Sequence, residues 1–334
     1  MKLISVVTPC LNEAGNVTEL HQRIQAQFAQ LPGYDYEHIF IDNASTDSTV
    51  AEVKALAAKD PHVKLIVNAR NFGHIRSPVY GVLQALGDAV ILMASDLQDP
   101  PELIVPFVRE WERGYKVVLG IKEQTVESPV MRILRKTYYD VVCRLSEIEL
   151  TRDNTGFGLY DRAVVDVLSK IDDPYPYLRG LVCDIGFEAA KILFRKPART
   201  RGVTAHNFYA LYDNAMLGIT SHSKVPLRIA QMLGFALSGL SLVVAAVYLV
   251  LKLVWWNQFS LGMAPLVIGL YLFSSVQLFF IGIIGEYVGN IHTQVLKRPL
   301  VVEKERIGFD DARGDRSLTA VPAPPEERRR VDVR

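Results

Sequence analysis

The chain has 334 residues, and its 37 Lys plus Arg nearly cancel 36 Asp plus Glu, for a formal net charge of +1. That balance excludes the basic excess of nucleic-acid binders, so no nucleic-acid partner is expected. Hydrophobic residues make up 49% and charged residues 22%, which excludes a disordered chain, and the near-absence of charge between residues 229 and 285 points to a globular head attached to a membrane.

Residues 3–8 read as a buried strand that ends at Thr8-Pro9. Asn12-Glu13 then leads into a helical pattern through Val17, Leu20, Ile24 and Phe28. A second strand, Glu37–Ile41, ends in Asp42-Asn43-Ala44-Ser45-Thr46-Asp47, where Ser45 or Thr46 is placed to cap a helix over Val50–Ala58. There follow a strand at Val63–Val67, a helix at Val79–Leu86 and a strand at Ala89–Ala94, closed by Ser95-Asp96-Leu97-Gln98-Asp99-Pro100-Pro101. A helix from Glu102 to Arg113 and a strand at Lys116–Gly120 complete the alternation. The fold class expected is α/β, a mostly parallel sheet with helices on both faces.

Beyond the alternating region, Val130–Leu145 reads as a helix that carries Arg132, Arg135 and Lys136. The segment Phe208–Ile219 has a broad apolar face, which suits an interfacial helix along the membrane surface or an amphipathic helix docked on the head. Uncharged runs at Ile229–Leu251 and Leu253–Gly285 each exceed the roughly 20 residues needed to cross a bilayer. Lys224 and Arg228 precede the first run, Lys297, Arg298, Lys304 and Arg306 follow the second, and Lys252 alone lies between them. This bias puts both termini on the cytosolic side. The cysteines, Cys10, Cys143 and Cys183, are odd in number and lack CxxC spacing, which fits free thiols in a reducing compartment. No signal-peptide pattern opens the chain, so the head is expected in the cytosol. The domains expected are a head over 1–205, interfacial helices over 206–228, a two-helix transmembrane hairpin over 229–289, a return segment over 290–307 and a disordered tail over 308–334.

In open α/β sheets, ligands bind beyond the carboxyl ends of the strands. Three of those ends carry acidic or amide side chains: Asn12 with Glu13, Asp42, and Asp96 with Gln98. No GxGxxG follows the first strand and no GxxxxGK[ST] is present, which disfavours a dinucleotide fold and excludes a P-loop nucleotidase. Strand-end carboxylates suit a sugar nucleotide: one accepts hydrogen bonds from base or ribose, and another holds a divalent ion against the diphosphate.

The series Thr8-Pro9-Cys10-Leu11-Asn12-Glu13, Ile41 to Asp47, Arg70-Asn71-Phe72-Gly73 and Asp96 to Glu102 resembles the family 2 glycosyltransferases of GT-A fold, which is Rossmann-like. Asp153-Asn154-Thr155-Gly156-Phe157, Gly218-Ile219-Thr220-Ser221, and Gly285-Glu286-Tyr287-Val288-Gly289 with Lys297-Arg298-Pro299 narrow the likeness to the polyprenyl-phosphate branch. That branch includes dolichol-phosphate mannose synthase and the bactoprenol glucosyltransferases. The resemblance implies inverting transfer of a sugar from a nucleotide donor, a UDP-sugar ahead of a GDP-sugar, to a polyprenyl phosphate for cell-envelope glycan modification. It places Pro9, Asn12, Glu13, Asp42 and Arg70 at the nucleotide, Arg199 at the donor diphosphate, and Asp96 and Gln98 on Mg²⁺ or Mn²⁺. It sets Arg132 and Arg135 at the lipid phosphate and Asp153 and Asp96 in catalysis. It further implies a bacterial plasma-membrane location, contact with membrane lipids and assembly as a homo-tetramer.

Three positions depart from the family pattern: Ala94 where Asp-x-Asp is usual, Asn43 for a second Asp, and Ala205 for a Lys near the diphosphate. They motivate a competing reading, a non-catalytic member that binds lipid phosphate or acts as a scaffold. A processive polysaccharide synthase is disfavoured, since Gln-x-x-Arg-Trp and the further spans of a channel are missing.

Overall fold

The computed structural model describes residues 1–123, 154–195, 216, 220, 223–255 and 263–309. The expected helix over Val130–Leu145 lies outside them, as do all but Met216 of the segment Phe208–Ile219 and the tail beyond Phe309. The chain divides into two compact units, one of Met1–Ser128, Thr151–Ala205 and Lys297–Arg334, the other of Pro129–Leu150 and His206–Leu296.

The first unit is built on an eight-stranded sheet: β1 (Lys2–Cys10), β2 (Tyr34–Asp42), β3 (Val63–Asn68), β4 (Ala89–Leu92), β5 (Val117–Lys122), β6 (Asn154–Asp161), β7 (Ala189–Phe194) and β8 (Glu303–Ile307), in the order β7-β5-β6-β4-β1-β2-β3-β8. Strands β4, β1, β2 and β3 are mutually parallel. Only β6 and β8 run against the others, so the expected mostly parallel sheet is present and its antiparallel members are additions to it. The β1–β2 ladder runs unbroken from Lys2↔Tyr34 to Cys10↔Asp42.

Among the described residues six α-helices accompany the sheet: α1 (Asn16–Phe28), α2 (Thr49–Ala57), α3 (Gly73–Gln84), α4 (Ile104–Glu112), α5 (Arg162–Leu168) and α6 (Leu178–Ile185). Successive side chains of a strand point to opposite faces. Ile4, Val6 and Ile91 thus meet α1 and α4 through Leu20, Ile24 and Phe107. Val7, Val90 and Leu92 meet α3, α5 and α6 on the other side. Both faces are covered, which is why these strands read as continuous apolar runs.

Several boundaries differ from the expected ones. Helix α3 starts at Gly73, six residues ahead of the expected Val79, with Pro78 inside it; so near the N-terminus the proline forgoes only the bond to the His74 carbonyl. Strand β4 ends at Leu92 and not Ala94: Met93 N–H still reaches Val7 O at 3.0 Å, but Ala94 N–H turns to Asp99 Oδ2 at 3.0 Å. Strand β8 occupies the last five residues of the segment expected merely to return to the head, and Phe309 follows it under the Lys64 ammonium and the Arg306 guanidinium.

A sealed polar chain crosses the core on one face of β1 and β2. Thr8 Oγ1 lies 3.0 Å from His38 Nε2, His38 Nδ1 lies 3.1 Å from His21 Nδ1, and His21 Nε2 lies 3.1 Å from Asp60. One neutral tautomer for each ring satisfies all three contacts. Burial holds both imidazoles below their ordinary range, His38 well below it.

In the second unit, helix α7 (Val225–Val254, 30 residues) and helix α8 (Met263–Leu296, 34 residues) are predominantly apolar. Both are long and apolar enough to cross a membrane. Large apolar side chains such as Met232, Phe235, Leu242, Tyr271 and Phe279 stand exposed along them. Tyr287 OH donates to Ser223 O at 2.7 Å.

Candidate active site at the carboxyl ends of the strands

Strands β2, β1 and β4 are neighbours and parallel, so their carboxyl ends open onto one edge of the sheet. The loops there carry Asn12 with Glu13, Asp42, and Asp96 with Gln98. The sheet thereby brings together strand ends that are far apart in sequence, and Pro9 sits just inside, paired with Ile41.

The loops after β1 and β2 hold each other. Asp42 is fully buried and accepts the Ser45 hydroxyl at 2.5 Å and the Ser45 N–H at 2.9 Å. Ser45 Oγ in turn accepts Asn12 N–H at 2.9 Å, and Asn12 Oδ1 accepts Thr46 N–H at 2.8 Å. Asn12 and Ala44 both adopt left-handed backbone, with φ of 55° and 65°; Asn tolerates this conformation, and the bonds around Ala44 hold it there. Glu13 is buried, accepts Asn16 Nδ2 at 2.6 Å and donates its N–H to Thr49 Oγ1 at 2.9 Å. Neither Ser45 nor Thr46 caps α2. Asp47 instead accepts the Thr49 N–H and hydroxyl at the start of that helix. Burial opposes the Asp47 charge, but the Thr49 bonds and the Ala14 N–H outweigh it and hold the carboxyl below its usual range. Burial, and then the charges of Asp42, Glu13 and Asp47, push the Cys10 thiol well up. Cys10 is thus a protonated, inert wall residue. The wall as a whole is rich in acceptors and suits the N–H and O–H groups of a base and a ribose.

Asn43 is more than a missing carboxylate. Its Nδ2 donates to Asn71 Oδ1 at 2.9 Å and Gly73 O at 3.2 Å, while its Oδ1 accepts Phe72 N–H at 2.8 Å and Asn68 Nδ2 at 3.2 Å. An amide can make both sets of bonds and a carboxylate only the second. Asn43 therefore fixes the loop that carries Arg70, whose guanidinium lies over the Phe72 ring at 4.0 Å. Sequence reading missed this role, and that of Ser45, because both follow from cross-loop contacts; the Asp42-x-x-Ser45 spacing of a local turn was the one available signal.

After β4 the chain makes a tight loop. Leu97 is buried with φ of 58°, Gln98 N–H donates to Asp96 Oδ1 at 3.2 Å, and Asp99 is buried against Ala94 N–H. Asp96 and Gln98 remain half-buried at the strand end. Among the described residues no three His, Cys, Asp or Glu stand together as a metal-binding group. One carboxylate and one amide oxygen fit Mg²⁺ or Mn²⁺ when phosphate oxygens complete the coordination shell, the habit of these hard ions at phosphate sites.

Strand β6 begins at Asn154, beside Ile121 at the end of β5, and runs against β4. Its first residue therefore lies at the same edge of the sheet. Asn154 O accepts Arg179 Nη1 at 3.2 Å, a half-buried cation that sequence reading did not single out. Asp153, Arg132, Arg135 and Arg199 lie outside the described residues, and Ala205 with them.

Residues 5–161 match the model of the family "Glycosyl transferase family 2". Over 92% of this chain and 95% of the relative, the sequence is 31% identical to the uncharacterized glycosyltransferase YkcC of Bacillus subtilis. It is 30% identical to the bactoprenol glucosyl transferase of Shigella phage SfII, over 90% of this chain and 97% of the relative. A looser likeness, TM-score 0.46 at 20% identity over 66% of this chain and 76% of the other, is to glucosyl-3-phosphoglycerate synthase from Mycobacterium tuberculosis in complex with Mn²⁺, UDP and phosphoglyceric acid. With a family match that begins in β1 and ends with β6, and relatives matched nearly end to end, the chain belongs to glycosyl transferase family 2 and is a glycosyltransferase.

Proposed function

We propose that this glycosyltransferase moves a sugar from a nucleotide donor, a UDP-sugar, to a polyprenyl phosphate at the cytosolic face of a bacterial plasma membrane. The product, a polyprenyl-phosphate sugar, would serve cell-envelope glycan modification. One observation carries the reading: three neighbouring parallel strands end together on carboxylate and amide side chains, in a chain 30% identical to a bactoprenol glucosyl transferase. The two long apolar helices support the membrane location, since so much exposed apolar surface requires a cover.

In this reading Asp42, Asn12 and Glu13, with Pro9 behind them, receive the base and ribose. Arg70 and Arg199 oppose the charge of the diphosphate, because a guanidinium fork binds phosphate bidentately. Asp96 and Gln98 would hold Mg²⁺ or Mn²⁺, which when bound neutralises charge on the departing diphosphate. Arg132 and Arg135 hold the acceptor phosphate, and Asp153 orients it. A phosphate monoester has a second pKa of about 6 and is already largely ionised at neutral pH, so the nucleophile needs positioning more than deprotonation. Its oxygen bonds to the anomeric carbon as the bond to the diphosphate breaks. The nucleoside diphosphate leaves, and the anomeric centre inverts.

The test is to incubate the purified full chain with undecaprenyl phosphate, Mn²⁺ and a panel of UDP- and GDP-sugars, with mass spectrometry of the lipid fraction. A glycolipid from a UDP-sugar is the expected product. Folded protein that yields none from any donor overturns the reading.

A further inference from the structure

Around the Arg70 loop positive charge gathers with no carboxylate paired to it among the described residues. Arg70 and Arg76 stack on the same ring, their guanidinium carbons 4.0 and 5.2 Å from the Phe72 centroid. Arg76 also donates to the backbone carbonyl of Pro299, next in the chain to Arg298. Among the described residues none of the three arginines has a carboxylate partner. The acids of the neighbouring segments are engaged elsewhere: Asp172 takes Lys297 at 2.6 Å, and Glu303 takes Arg306. Arg76 Nε is buried without a hydrogen-bond partner. Arg76 belongs to the first turn of α3, a 12-residue helix with no acidic side chain in that turn, so the positive end of the helix adds to the field. Burial, then the charges of Arg70 and Arg298, pull the Arg76 guanidinium below its ordinary value, with Tyr175 opposing.

Like charges held together are costly unless an anion offsets them, and the accessible ends of these guanidinium groups are free to bind one. We infer that Arg70, Arg76 and Arg298 form a binding site for a phosphate group, with Arg76 as its floor and the exposed Arg298 as its lip. Two sources offer that chemistry, the headgroup of a membrane lipid or the diphosphate of a nucleotide; the second rests on the donor reading given above for Arg70 and adds Arg76 and Arg298 to it. The inference does not require sugar transfer, because phosphate binding is read out directly.

The experiment uses the full chain in detergent, with calorimetric titration of dihexanoyl phosphatidic acid in one arm and UDP in the other. Arg298→Gln and Arg76→Gln are compared with wild type and with Lys59→Gln, which removes an equal charge at an exposed position elsewhere. Each arginine substitution is expected to weaken binding about fivefold, while Lys59→Gln leaves it unchanged. Loss in the first arm identifies the source as a lipid headgroup, and loss in the second identifies it as a nucleotide. Wild-type binding of both ligands by the arginine variants, or an equal loss from Lys59→Gln, overturns the site. Arg76→Gln gives up the bond to Pro299 and risks misfolding, so Arg298→Gln, whose side chain is exposed and makes no hydrogen bond among the described residues, decides alone if that variant fails to fold.

Discussion

Two groups of polar residues, each with a buried member, lie along the same strands, β1 and β2, yet they do different work. The cluster of Asp42, Ser45 and Asn12 stands at the carboxyl ends, where the ladder stops and backbone turns outward. The chain of Thr8, His38, His21 and Asp60 starts two residues short of that end and is closed over by α1 and Tyr36, with the His21 and His38 rings stacked 5.4 Å apart. A fully buried polar side chain is common to both, Asp42 in one and His38 in the other. Position along the strand decides which can meet a ligand and which can only hold the core together.

Substitutions in the outer cluster should therefore change donor affinity and turnover, and those in the inner one stability alone. The largest effect is expected from Asp96→Ala, at the end of the adjacent strand. Transfer to undecaprenyl phosphate should fall at least about 100-fold, the scale seen when charge stabilisation at a developing anion is removed, with circular dichroism unchanged. Asn43→Asp comes next. Its two donated bonds become repulsions in a buried site, at a cost of about 2–3 kcal/mol in urea unfolding, and the loosened Arg70 loop should raise KM for the donor more than it lowers kcat.

The inner chain predicts a pH effect with a definite sign. His21 and His38 have lowered values when folded, so below the ordinary imidazole value of about 6.5 the unfolded chain takes up protons that the folded chain refuses. Stability is full above that pH and falls as the pH drops below it, each histidine contributing at most about 1.4 kcal/mol per pH unit while its folded form stays neutral. Urea midpoints measured from pH 7.5 to 5 should show this decline, and His38→Gln should make it shallower. A flat profile would mean that the two rings are not buried neutral. The smallest change is Thr8→Val, which leaves His38 Nε2 without its partner. It should cost about 1 kcal/mol with donor KM unmoved, and a raised KM would erase the distinction between inner and outer clusters.

The parallel half of the sheet was legible in the sequence because strands buried on both faces are uninterrupted apolar runs, and Asp42, Asn12 and Asp96 could be placed at their ends by counting. The other half was not. Strand β8 reads Glu-Lys-Glu-Arg-Ile, a charged edge strand held by backbone pairing with β3, and charge at an edge carries no apolar period to detect. Strand β6 drew notice only for the motif at its start. Asn43 and Ser45 escaped for a different reason: their partners are 28 and 33 residues away, and no local pattern reports a contact between loops.

Strand β8 also imposes an order on biosynthesis. Tyr80, on the helix that follows β3, finds its partner Glu303 only 223 residues later, an interval of about 10–45 s at ordinary translation rates. Both long apolar helices leave the ribosome during that time. Until then the edge of β3 has no neighbour and stays open to unwanted strand pairing. Among the described residues the catalytic sheet is completed by the last strand to emerge, so synthesis of both long apolar helices precedes final closure of the head.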